Sequence, residues 1–362
     1  MANVRGCTPG SLPQVETAGI TDDAIALARI PAPTFAERAR GEWVLERLQQ
    51  LHLDAAFDDA GNVVARIGED GPALALCAHL DTVFPADTPL EITRDGDRLV
   101  GPGIGDNALG IAALLHVARR LALEPPPAPV LVAFTVGEEG LGDLRGASAL
   151  LDREDVRGLV AVEGHGLDSL AVGGVASIRY RVTATGPGGH SWTDRGAPSA
   201  VHALVGALDR ALAVADPVAI NVGTIEGGTA VNAIAGRAEA LIDLRHHDTA
   251  EVHAAAARVR EALAAPPGIG FEISEVGNRP GGVNQPGEPL VEAARAARAA
   301  VGLEPADEHL ASTDANAAHA RGIPAVGIGI TRGDNAHRED EWVLVPPIAQ
   351  GVAALHRLAI SG

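Results

Sequence analysis

Lysine is missing altogether: all 28 basic side chains of the 362-residue chain are arginine. A Walker-type phosphate loop, which needs its lysine, is therefore excluded. Alanine-rich runs such as Ala254-Ala255-Ala256-Ala257 accompany the absence, so it reads as genomic bias rather than function. Basic clusters are also missing, and the formal net charge is -19. Nucleic acid and anionic membranes, which demand concentrated positive charge, are poor partners for such a chain. Aromatic residues make up only 2%, so the cores must be built from Ala, Val, Leu and Ile. Cysteine is limited to Cys7 and Cys77, too few for a disulfide framework, and a reducing cytoplasm is the expected compartment. The first residues lack the apolar run of a secretory leader, and no apolar stretch is long enough to span a bilayer. A Gly-x-Ser-x-Gly elbow is absent as well, which disfavours a serine hydrolase.

What is present fits an ordinary globular protein: 46% hydrophobic and 21% charged, in a chain long enough for two domains. Helical patterns at 22–30, 35–51 and 110–123 alternate with strand patterns at 62–67, 73–78, 130–136 and 159–162. The continuous apolar runs among these are what strands buried on both faces require. Pro125-Pro126-Pro127 closes the helix begun at Gly110. The pattern predicts an α/β domain with a mostly parallel sheet flanked by helices.

Near Gly173 the character changes. Ile178, Tyr180 and Val182 alternate with Arg179, Arg181 and Thr183, as a half-exposed strand does. A helix (198–214), strands near 219–225 and 238–244, a helix (249–264) and a strand (270–276) follow. This β-α-β-β-α-β order predicts a small ferredoxin-like α+β domain, 174–280, inserted into a domain made of 1–173 and 281–362. In the last segment a helix (289–301), a buried strand (325–330) and a terminal helix (346–360) restore the α/β pattern.

Several strand ends carry polar groups, where α/β sheets place their ligands. His79 and Asp81 follow the strand at 73–78; a carboxylate can accept from the second imidazole nitrogen and fix the tautomer that binds a metal. Gly101-Pro102-Gly103-Ile104-Gly105-Asp106 resembles a dinucleotide loop, but Asp106 stands where the third glycine should be. The better reading is a turn delivering Asp106 to the mouth of the next helix, either to bridge two metals or simply to cap that helix. Glu138 and Glu139 follow the strand at 130–136; adjacent carboxylates are costly unless a cation or proton resolves them. Glu163 repeats the theme, with His165 a rival ligand beside it, and His337 lies in the acidic stretch 334–341. Nitrogen and oxygen donors without thiolate suit zinc first, then cobalt or manganese. Two ions sharing Asp106 would sit on the order of 3.5–4 Å apart, generate a hydroxide and polarise a scissile carbonyl.

Taken in order, His79-x-Asp81, Gly-x-Gly-x-x-Asp106, Glu138-Glu139, Glu163, His190, Gly228-Thr229-x-x-Asn232, Arg245 and His337 resemble the M20 family of two-metal peptidases and deacylases. Glutamate carboxypeptidase, peptidase T, acetylornithine deacetylase and succinyl-diaminopimelate desuccinylase belong to it. The resemblance covers nearly the whole chain. It implies that His79, Asp106 and Glu163 hold one metal and Asp106, Glu139 and His337 the other. Glu138 is then the general base and Asp81 the orienter of His79. The inserted domain becomes a lid and the interface of a homodimer. His190, in Gly188-Gly189-His190-Ser191-Trp192, would reach the partner subunit's site and stabilise the oxyanion. Asn232 and Arg245 would hold the substrate, Arg245 through a carboxylate.

Some positions depart from the family. Asn107 follows the bridging carboxylate where many members carry Asp or Lys. Ser191-Trp192 follows the lid histidine where a small residue is common, so Trp192 narrows the substrate choice. Ser312-Thr313-Asp314 replaces a Gly-Thr-Asp turn. His165, His246 and His247 receive no role. The expected activity is hydrolysis of an amide bond in a small peptide. N-acyl amino acid deacylation is the alternative, and a catalytically silent metal-binding dimer a remote one.

Overall fold

The computed structural model describes residues 17–361, so Cys7 and the reading of the N-terminus lie outside the described residues. By its internal contacts the chain divides into two units, 1–173 with 283–362, and 174–282.

The first unit is built on a nine-stranded sheet. Its centre is four neighbouring parallel strands, Val130–Thr135, Ala73–His79, Val156–Glu163 and Ala325–Gly329. Every residue of the first two is buried, as their apolar runs require. Alternation sorts the side chains into two layers. Leu74, Leu76 and Ala78 join one cluster with the helices Gly110–Leu123 and Ile348–Ala359. Ala73, Ala75 and Cys77 face the other way, among Ala147, Leu150 and Ala317 of the helices Arg145–Arg153 and Ala315–His319. That second layer is made mostly of alanine, so helix and sheet approach closely without aromatic filling.

The flanking strands pair antiparallel, Ala55–Phe57 and Val63–Ile67 on one side and Ser169–Gly174 on the other, and Gly282–Val283 and Asp307–Ala311 pair with Ser169–Gly174. A second small sheet joins Gly333–Asp334, Trp342–Leu344, Arg98–Val100 and Thr93–Asp95. The periodicity predicts neither this sheet nor the helices Arg145–Arg153 and Ala315–His319. Strands of two or three residues are too short to show a period, and these helices are short.

The second unit is an antiparallel sheet in the order Ala219–Gly227, Arg237–His246, Ala176–Thr185, Gly270–Arg279. The helices Ala200–Ala213 and Thr249–Ala262 share its core with Ile178, Val182, Ala240, Ile242 and Leu244. Asp248 caps the second helix by accepting from the Ala250 N–H at 2.8 Å. This is the β-α-β-β-α-β ferredoxin-like arrangement expected from the sequence, with the opposite sheet face left to polar side chains.

Candidate metal centre

The parallel strands end side by side, and their ends carry the chemistry. His79 closes the strand Ala73–His79, in register with Thr135 of the neighbouring strand. Beyond Thr135 the chain runs directly into Glu138 and Glu139, 6% and 7% exposed. Glu163 closes Val156–Glu163, in register with Gly329, and His337 lies in the loop beyond that partner strand. Asp106 comes from a different element, the helical turn Ile104–Leu109 that opens into the helix Gly110–Leu123. Gly103 adopts φ +70 at the entry to this turn, a conformation that favours glycine.

Asp106 lies between two histidines. Its Oδ1 is 3.0 Å from His79 Nε2 and its Oδ2 is 3.1 Å from His337 Nε2. Glu163 Oε2 stands 3.6 Å from His79 Nε2, and Glu139 Oε1 stands 3.2 Å from His337 Nε2. Two sets result, His79–Asp106–Glu163 and Asp106–Glu139–His337, each with its donor atoms within 4.8 Å of one another. His79, Glu138 and Glu139 meet the same criterion.

A fully buried carboxylate holds this arrangement from behind. Asp81 Oδ1 accepts from the Glu138 N–H at 3.0 Å, and its Oδ2 accepts from the Glu139 N–H at 2.9 Å and from Thr34 Oγ1 at 2.9 Å. His79 Nδ1 lies 3.1 Å from the Asp81 carbonyl oxygen and 3.5 Å from its Oδ1. With acceptors on that side, Nδ1 carries a hydrogen and Nε2 is the nitrogen that faces the cluster.

The charges are strongly coupled. Burial would raise the Asp106 carboxyl, but hydrogen bonds from His337 and His79 outweigh it and hold the group well below the usual range. Burial, aided by the Asp106 charge, pushes Glu139 up to about 7, and burial raises Glu163 against the pull of His79. Burial opposes protonation of His79, yet hydrogen bonds to Asp106, Asp81 and Glu163 prevail and raise it. Hydrogen bonds to Asp106 and Glu139 lift His337 to about 10. In the metal-free protein, imidazolium protons thus supply the positive charge that the carboxylates need. A divalent cation would displace those protons, so its binding should strengthen as pH rises.

The structure brings His79, Asp81, Asp106, Glu138, Glu139, Glu163 and His337 into one cluster. The remaining predicted residues lie in the second unit. His190 sits on the short strand Gly189–His190, paired with Ala233–Ile234. Its Nδ1 accepts from the Trp192 and Thr193 N–H groups at 3.2 and 3.4 Å, which places the ring hydrogen on Nε2. Asn232 is adjacent, its carbonyl accepting from the Ser191 N–H at 3.0 Å, and Trp192 is 71% exposed. Arg245 stands apart on the strand Arg237–His246, its Nε 2.5 Å from Asp243 Oδ2. Asp243 Oδ1 meanwhile accepts from Arg179 Nε at 2.9 Å. His246 and His247 stack on each other with ring centroids 4.0 Å apart.

Sequence reasoning missed two buried acids. Glu341 lies at the end of a run of charged residues that reads as solvated, yet it is fully buried beneath Asp106. The apolar Val343 and Leu344 just beyond it were the only signal. Asp314, noted only as part of a turn, accepts from Thr135 Oγ1, while its Oδ1 has no hydrogen-bond partner among the described residues. Burial first, then the Glu138 charge, push its carboxyl up to about 7.

Comparison with known proteins gives the family. Peptidase family M20/M25/M40 matches residues 75–361. A putative [LysW]-lysine/[LysW]-ornithine hydrolase of Aeropyrum pernix is 36% identical over 233 residues, 62% of each chain. A succinyl-diaminopimelate desuccinylase of Gluconobacter oxydans is 32% identical over 52% of this chain and 55% of its own. The chain therefore spans less than two thirds of these relatives. Another desuccinylase, from Methylorubrum populi, is 29% identical over 92% of this chain and 96% of its own. Among solved structures, a tripeptidase of Staphylococcus aureus superposes with a TM-score of 0.77 at 20% identity, covering 96% of this chain and 99% of its own. An aminopeptidase of Bacillus cereus gives 0.72 at 21% identity, covering 96% and 98%. The same core, with a smaller ferredoxin-like unit inserted, is thus shared with peptidases, and the chain belongs to Peptidase family M20/M25/M40.

Proposed function

We propose that the chain is a two-metal hydrolase that cleaves an amide bond in a small, carboxylate-bearing substrate. The observation that carries the reading is the division of Asp106, with one oxygen toward each histidine and a further carboxylate completing each set. The donors fit divalent metal: two imidazoles, three carboxylates, no thiolate, and a buried Asp81 that fixes the His79 tautomer. His79, Asp106 and Glu163 would hold one ion, and Asp106, Glu139 and His337 the other. Zinc is the first choice, with cobalt or manganese possible substitutes. Such ions supply Lewis acidity and lower the pKa of water.

The chain's own residues do the rest. Glu138, beside His79 and Glu139, takes the proton of the attacking water and passes it to the leaving nitrogen. His190, with hydrogen on Nε2, donates to the developing oxyanion of a partner subunit's substrate. Arg245 and Asn232 bind the substrate, and Trp192 trims its shape. A homodimer through the inserted unit is supported by its exposed edge strand Ala219–Gly227, where Ile225 is 53% exposed.

The names of the relatives favour a second reading, an N-acyl amino acid deacylase, since near full-length matches are to desuccinylases. The two share their machinery and differ in pocket contacts. A panel of di- and tripeptides, N-acetyl and N-succinyl amino acids, assayed with zinc, cobalt or manganese, separates them. Peptide cleavage abolished by chelator and by Glu138→Ala supports the peptidase; cleavage of acyl amino acids alone supports the deacylase. Metal binding without turnover of any amide would return the silent-dimer reading and overturn both.

A further inference from the structure

Glu341 is a carboxylate with no exposed surface, and every polar contact it makes points at the loops of the metal centre. Its Oε2 accepts from the Gly103 N–H at 2.7 Å. Its Oε1 accepts from the Gly105 N–H at 2.8 Å and from the Asp106 N–H at 2.7 Å. His165 Nε2 lies 2.8 Å from the same Oε1. The Glu341 carbonyl accepts from the Gly101 N–H at 2.8 Å, so the contact runs along the whole turn. Backbone bonds extend it: Gly164 N–H donates to the Gly105 carbonyl at 3.2 Å and Thr331 N–H to the Gly164 carbonyl at 2.9 Å. The packing leaves no slack. A Cβ on Gly105 would fall 1.7 Å from His165 Nε2, and one on Gly164 2.2 Å from the Gly105 oxygen.

We infer that Glu341 and His165 are positioning residues that lock the loops of Asp106, Glu163 and His337 into one metal-binding geometry. The inference rests on the reading of this cluster as a metal centre. His165 belongs to the Glu163 loop, Glu341 to the His337 loop, and the N–H groups between them to the Asp106 turn. One carboxylate therefore ties three segments that are far apart in sequence. A metal site tolerates little displacement of its donors, and partners of this kind typically tune affinity about 10- to 100-fold. Neither residue touches substrate; both act through the donors they hold.

The test is cobalt(II) affinity by competition with a chelating dye, with the visible spectrum of the bound ion and the melting curve of the metal-free protein. Glu341→Gln keeps the shape but sets an NH2 group against N–H donors, because an amide has only one acceptor oxygen. It should weaken cobalt binding roughly 10- to 100-fold and alter the spectrum. His165→Asn, which leaves the three N–H bonds in place, should weaken binding about severalfold and decides the matter if Glu341→Gln does not fold. A lower melting temperature with unchanged affinity and spectrum in the folded variants would reduce both residues to ordinary packing and overturn the inference. Wild-type protein that binds no cobalt would overturn the proposed function itself, and this inference with it.

Discussion

The two units hold their polar residues in opposite ways. In the first, the seven clustered side chains are held against one another, with Asp81, Glu138 and Glu139 nearly inaccessible and tied through backbone N–H groups. In the second, the backbone turn around His190 orients its ring, but Trp192 and Asn232 are displayed at the surface, and Arg245 leans on Asp243. In the metal-free cluster the protonated His79 and His337 offset the buried carboxylates, because an unpaired buried charge is costly. A substrate-contacting group needs only the correct aim, since the substrate completes its hydrogen bonds. On the proposed function, the first unit would serve as the reaction centre and the inserted unit as a recognition surface.

If that division holds, substitutions in the two units should separate chemistry from binding. The largest effect is expected at Glu138. Glu138→Gln should lower kcat about 10²- to 10⁴-fold while the metal content stays that of wild type. Loss of metal in parallel with activity would make Glu138 a ligand instead. His190→Ala should lower kcat roughly 10²- to 10³-fold with little change in KM, as removal of an oxyanion donor does; unchanged kinetics would remove His190 from the chemistry. Arg245→Ala should act on binding. KM for substrates with a free carboxylate should rise about 10- to 100-fold, the loss of a charged hydrogen bond worth about 1.5–3 kcal/mol. Carboxamide analogues should be indifferent to the change, and an equal loss for both would mean that Arg245 serves only to pair with Asp243.

The smallest effect concerns stability. Asp314 titrates near 7 in the folded protein, above an ordinary aspartate near 4. Between those values the folded state keeps a proton that the unfolded chain has released. Its contribution to stability is therefore complete at low pH and is lost as pH rises toward about 7. Asp314→Asn should flatten that decline in urea unfolding of the metal-free protein between about pH 4 and 7; an identical slope in the variant would place the titration elsewhere.

Much of the fold can be read from the sequence, and for a stated reason. Buried strands such as Ala73–His79 announce themselves as apolar runs, and the helix Gly110–Leu123 is bounded by glycine at one end and prolines beyond the other. His79, Asp106, Glu139 and Glu163 are visible because each is a polar residue at the end of such a run or in a glycine-rich turn, whereas His337 lies in an acidic loop well beyond its strand. What stays hidden depends on distant partners. Glu341 looks solvated because its acceptors' donors, Gly103, Gly105 and Asp106, belong to a remote turn. The tautomer of His190 depends on a local turn whose geometry has no period. Edge strands such as Ala55–Phe57 and Thr93–Asp95 are too short to alternate.

Whether Asp106 joins two metal half-sites is decided by metal stoichiometry after dialysis against zinc. About two ions per chain are expected in the wild type, about one in His79→Ala and in His337→Ala, and near none in Asp106→Ala. A single ion in the wild type, or an Asp106→Ala variant that still binds two, would contradict that role of Asp106.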